Sequence, residues 1–181
     1  MINAAIVGLG WWGKTLVESA QGSDAIRFVA VGTRAVSPEI KTCADDQKLR
    51  VVEGFEALLT DKKLDAIVLA TPHSIHARQV IAAAQAGKHV FCEKPFALTK
   101  NDAEAAVDAT RRAGVTLGLG YNRRFHPEMT KLRERIQSGG LGTVTVRVGK
   151  IATRTRTKVV QVRKTCAIGV YTEDPDSRRA I

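Results

Sequence analysis

Long hydrophobic runs, abundant aromatics and paired cysteines are all missing from this 181-residue chain, and each absence removes a class of protein. No apolar stretch approaches the ~20 residues that cross a bilayer, so a membrane partner is not expected. The N-terminus enters strand-like sequence at once, without the basic segment, apolar core and small-residue cleavage site of a secretory leader. Cys43, Cys92 and Cys166 are odd in number and far apart, which fits neither a disulfide framework nor zinc spacing. The expected compartment is the cytoplasm, and no metal is expected. Aromatic residues are 5% of the chain, and neither a stacking platform nor a recognition-helix pattern accompanies the net charge of +10. Residues 144–181 carry +6 of that charge and residues 1–143 only +4. Nucleic acid is therefore not an expected partner, while a modest positive balance suits small anionic ligands.

What is present fits one well-buried globular domain, with 44% hydrophobic and 25% charged residues. Five short apolar runs, Ala4–Val7, Phe28–Val31, Ala66–Ala70, Val90–Cys92 and Val115–Leu119, alternate with helical segments, and a weaker run lies near Val51-Val52. Continuous rather than alternating apolar runs predict strands covered on both faces. Ser74 can cap a helix carrying Ala77, Val80, Ile81 and Ala84 on one face, with Gly87 as its stop. Thr99 and Asp102 form a capping-box-like start, and Gly114 ends that helix. Pro127 suits the first turn of a helix with Met129, Leu132 and Ile136 on one stripe, closed by Gly139-Gly140. This alternation predicts an α/β fold, a Rossmann-type doubly wound parallel sheet, with only the start of a second α+β domain. The expected divisions are residues 1–120, then a connecting helix and first strand over 121–148. Val144, Val146 and Val148 alternate as in a half-exposed strand. Residues 149–181 form an atypical basic tail with no assignable fold.

The opening Gly8-x-Gly10-x-x-Gly13 follows an apolar strand and precedes a helix, the context in which this pattern signals a dinucleotide site. Gly8 allows the tight turn, Gly10 lets backbone approach a pyrophosphate, and Gly13 permits close packing of the helix on the sheet. Trp11 and Trp12 open that helix, whose free N–H groups and positive dipole end suit phosphates. Their rings are expected to pack beside the loop. About twenty residues on, where a carboxylate would hold a ribose hydroxyl, the chain reads Gly32-Thr33-Arg34 instead. Thr33 can hydrogen-bond a 2′-phosphate and Arg34 can clamp it, which favours NADP over NAD. Arg34 can equally stack on the adenine of NAD or stay solvated.

Three successive strands end in polar segments: Thr71-Pro72-His73-Ser74-Ile75-His76, then Glu93-Lys94-Pro95, then Gly120-Tyr121-Asn122-Arg123-Arg124. With the glycine turn, this ordered set resembles the N-terminal half of the Gfo/Idh/MocA oxidoreductases over about residues 2–143. The resemblance implies that Lys94 is the catalytic lysine, touching both the nicotinamide ribose and the reacting hydroxyl of a sugar, cyclitol or related polyol. It implies a cis Lys94–Pro95 bond, and Glu93 is placed to orient the lysine. Thr71 and Pro72 match the segment lining the dinucleotide pocket. His73 stands where many relatives carry Asn, and His76 opens the next helix. Asn122 and Arg123 match residues near the nicotinamide. The family's second domain supplies a further proton acceptor, and residues 144–181 do not match it, having no histidine after His126. The tail thus reads as truncated or frame-shifted, and family-type assembly is doubtful. The competing expectation is a dinucleotide-binding module without catalysis.

Overall fold

The computed structural model describes residues 1–141 and two further strand segments, Thr145–Val148 and Lys158–Gln161. The chain divides at Tyr121/Asn122 into two units. The first is a six-stranded sheet of β1 (Ile2–Val7), β2 (Ile26–Thr33), β3 (Arg50–Glu53), β4 (Ala66–Leu69), β5 (His89–Cys92) and β6 (Leu117–Leu119). All neighbouring pairs are parallel, in the order β3-β2-β1-β4-β5-β6. Chain direction across the sheet therefore reverses between β1 and β4, which creates a crevice at their carboxyl ends.

Alternation along the strands builds two cores, one per face. Ala4, Ile6, Ala66 and Val68 pack with Val17 of α1 (Trp11–Ser19) and Ala44 of α2 (Pro38–Asp46). Ala5, Val7, Ile67 and Leu69 pack with Leu58 of α3 (Phe55–Leu59), Val80 and Ala83 of α4 (His76–Gln85), and Ala106 of α5 (Lys100–Ala113). All four residues of β4 are buried, as a central strand covered on both sides requires.

Several helix ends follow the sequence. Thr99 accepts from the Asp102 amide at 3.1 Å, and Gly114 closes α5 in the left-handed conformation at φ 67°. The run Val115–Leu119 shortens to Leu117–Leu119 because the Val115 amide is drawn back to the Thr110 carbonyl, 3.1 Å away, to finish α5. Ser74 is not a cap. It lies within a 3₁₀ turn, His73–Ile75, and α4 starts at His76 without any side-chain cap. Helix α2 carries too few apolar residues, and α3 is too short, to announce itself by periodicity; α2 is marked by Ser37, which accepts from the Ile40 amide at 3.3 Å, and by Pro38 at its first turn.

The second unit contains a 3₁₀ turn, Asn122–Phe125, and α6 (Pro127–Gln137), with Pro127 in its first turn as the sequence predicts and Gly139 at φ 77° beyond its end. It also contains β7 (Thr145–Val148), paired antiparallel with β8 (Lys158–Gln161), a strand for which the basic tail gives no pattern. The remaining positions of the 149–181 tail lie outside the described residues.

Candidate functional site at the carboxyl edge of the sheet

At the crevice, the glycine turn is packed against the start of the β4–α4 loop. Gly8 has φ 92°, and a Cβ on it would sit 2.6 Å from the Ala70 carbonyl oxygen. A Cβ on Gly13 would lie 2.0 Å from the Gly8 carbonyl oxygen, so α1 reaches the strand only without a side chain there. Gly10 differs from both: nothing lies within 4 Å of where its Cβ would be, which leaves the backbone of the turn open on that side. It caps α1 without any side-chain hydrogen bond, and the first helical bond runs from the Lys14 amide to the Gly10 carbonyl at 3.0 Å. The amides of Trp11, Trp12 and Gly13 thus lack intrahelical acceptors, as at any helix start, and face the open side of an uncapped positive end. A pyrophosphate fits this arrangement.

One of the two tryptophans departs from expectation. Trp11 does not pack beside the loop but is 79% exposed. Its ring lies 5.4 Å from that of Trp12 at 44°, and the buried Trp12 Nε1 has no hydrogen-bond partner.

At the end of β2 the Thr33 hydroxyl donates to the Ala35 carbonyl at 2.6 Å and accepts from the Ala35 amide at 3.3 Å. Its proton is thus committed to the local turn, so Thr33 cannot donate to a 2′-phosphate while that turn persists. Arg34 is exposed and makes no ion pair among the described residues, which leaves it as the group at this strand end able to meet such a phosphate.

The β5 end presents Lys94. It is exposed, and the Lys94–Pro95 peptide is cis. Glu93 is 5% exposed, and its carboxylate accepts the Lys94 backbone amide at 3.2 Å, so it orients the lysine through the main chain. Gly120, which sequence reasoning passed over, makes room for it: a Cβ there would lie 2.5 Å from Glu93 Oε1. Beside it Cys92 is fully buried, and burial first, then the Glu93 charge, pushes its thiol up to about 12, which rules out a nucleophile.

At the β4 end Thr71 is half-buried, and Pro72 and His73 are exposed. His76 is 1% exposed: Nδ1 is 2.9 Å from the Pro95 carbonyl oxygen and Nε2 is 2.8 Å from that of Thr71. His76, expected from the resemblance among the cofactor-binding residues, thus lies between the two loops with both ring nitrogens beside carbonyl oxygens. Gln79, also missed, is 6% exposed and accepts from the Thr71 hydroxyl at 2.6 Å. Its position one turn beyond His76 was the available signal. Asn122 and Arg123 belong to the second unit, in its exposed 3₁₀ turn, and are not among the residues gathered in the first.

A doubly wound sheet with a glycine turn at its switch point defines a dinucleotide-binding domain. The chain belongs to the Gfo/Idh/MocA oxidoreductase family: the model for this oxidoreductase family with NAD-binding Rossmann fold matches residues 2–121. It is 34% identical over 143 residues to the uncharacterized oxidoreductase YrbE of Bacillus subtilis, covering 78% of this chain and 42% of that protein. It is 33% identical over 145 residues to the myo-inositol 2-dehydrogenase of Thermotoga maritima, covering 78% and 42%. The crystal structure of scyllo-inositol dehydrogenase from Lactobacillus casei, with bound NAD(H) and scyllo-inositol, superposes with a TM-score of 0.74 at 25% identity, covering 82% of this chain and 45% of that one. The chain thus spans about two fifths of the length of these relatives. Among the described residues no helix is long and apolar enough to cross a membrane.

Proposed function

We propose that this chain forms the coenzyme-binding part of an oxidoreductase that exchanges a hydride between NADP and a hydroxyl-bearing carbon of a sugar, cyclitol or related polyol. The observation that carries the reading is the open side of Gly10 at the head of an uncapped helix, at the point where strand order reverses. The amides of Gly10 to Gly13 would take the pyrophosphate, and Arg34 the 2′-phosphate. Thr71 and Pro72 would line the ring end of the crevice. The bound coenzyme supplies the hydride chemistry. Lys94 would donate to the substrate oxygen as negative charge develops there, with Glu93 fixing its backbone. Inositol dehydrogenases among the relatives support the substrate class.

Separate titrations with NADP and NAD, followed by thermal unfolding, test this reading, since a ligand that binds only the native state raises its stability. NADP is expected to raise the midpoint more than NAD, and Arg34→Ala to abolish the difference. A larger shift with NAD would remove the Arg34 assignment, and no shift with either would remove the site. Polyol-dependent appearance of reduced coenzyme, lost in Lys94→Ala, would establish the catalytic reading. Binding without turnover across polyols would leave the second one, a dinucleotide-binding module.

A further inference from the structure

Two loops meet at the ring end of the crevice; the strand ends behind them are joined by the Glu93 amide donating to the Leu69 carbonyl at 3.0 Å, and Pro72 and Pro95 have no N–H to add. Their carbonyls, like all carbonyls, only accept. The side chain between them is His76, buried at the first turn of α4, with a ring nitrogen 2.9 Å from the Pro95 carbonyl oxygen and the other 2.8 Å from the Thr71 carbonyl oxygen. The ring thus spans both loops, with each nitrogen within hydrogen-bond distance of one carbonyl oxygen. One turn further on, Gln79 takes the Thr71 hydroxyl proton at 2.6 Å, so Thr71 is gripped at both its carbonyl and its hydroxyl.

We propose that His76 and Gln79 are positioning residues, a buried clamp on α4 that sets the distance between the Thr71 loop and the Lys94–Pro95 loop. The coenzyme ring end then meets Thr71, Pro72 and Lys94 in fixed register, while the glycine turn, held by its own backbone packing, does not depend on the clamp. This inference rests on the reading of those two loops as the nicotinamide end. A substitution in the clamp should therefore separate the two halves of the coenzyme. Binding through the phosphates survives, and binding through the ring is lost.

The test uses the full chain with two probes: ADP, which lacks the nicotinamide, and NADPH, whose emission changes with the surroundings of its reduced ring. His76→Gln keeps one donor group, which reaches one carbonyl and not both. ADP affinity is expected to stay unchanged, while NADPH affinity falls about tenfold, one hydrogen bond's net worth, and the emission of the bound coenzyme returns toward that of the free form. Should His76→Gln fail to show a cooperative melt, Gln79→Met is expected to give the same split, and Gln79→Glu, which keeps an acceptor oxygen for Thr71, to retain NADPH affinity. Equal loss of both probes, or loss of neither, overturns the clamp. A wild-type chain that binds neither probe overturns the coenzyme reading itself and the clamp with it, a result distinct from failure in the variants alone.

Discussion

The three glycines of the opening turn have separable duties, and single methyl groups can tell them apart. A methyl at Gly13 would meet the Gly8 carbonyl at 2.0 Å, backbone that cannot step aside, whereas one at Gly10 would meet nothing within 4 Å. Gly13→Ala is therefore expected to destabilise the fold by about 1–3 kcal/mol, the cost of overpacking, seen as a lowered denaturation midpoint. Gly10→Ala, which meets no clash and replaces only a glycine N-cap, should lower that midpoint less and weaken NADP binding, because its methyl enters the space a phosphate needs. Equal effects in both assays would merge the two roles. Cys92 gives a second residue-scale test. With its thiol pushed up to about 12 by burial and by Glu93, it should resist alkylation in native protein at neutral pH and react in denaturant. Native labelling, read by mass spectrometry, would show that the strand end opens.

At the scale of elements, the sheet and most helix boundaries are legible because apolar runs and capping residues act locally. Thr99 caps α5 as its sequence position indicates, and Thr99→Ala should cost about 1 kcal/mol, measured by chemical denaturation. What the sequence conceals is decided between elements. The two carbonyls beside His76 come from different loops, a placement that the family resemblance, which sets it at the start of the next helix, does not reveal. Thr33 was read as free to donate, and its own turn takes the proton. Helices α2 and α3 lack an apolar stripe long enough to register, and β8 exists through its pairing with β7 rather than through a pattern of its own. Electrostatics between elements also sets acid behaviour. The Asp61 carboxyl is held below the usual range, foremost by the Lys63 amide and also by the Arg50 guanidinium, against the contrary pull of burial. A depressed folded-state value means that its stabilisation is present above the unfolded aspartate range, about 4, and is lost as pH falls through the lower folded value. Asp61→Asn should flatten the acid limb of a stability–pH profile, and an unchanged limb would contradict that assignment.

For the molecule as a whole, the sheet order and the switch point bring the glycine turn, the Thr71 loop and the Lys94 loop to one edge, although some ninety residues of sequence separate Gly8 from Pro95. That convergence is a property of topology, and it is what turns separate sequence motifs into a candidate site. It was legible because parallel strands deliver their following loops to a common side. The modest charge of residues 1–143 suits the anionic coenzyme without invoking a nucleic acid. Titration of the isotope-labelled chain with NADP, followed residue by residue through its backbone amide resonances, tests this arrangement most directly. The largest changes are expected at Gly10, Trp11, Trp12 and Gly13, with a second group at Thr71 and Lys94. Saturable changes confined to residues away from this edge, or none at all, would contradict it.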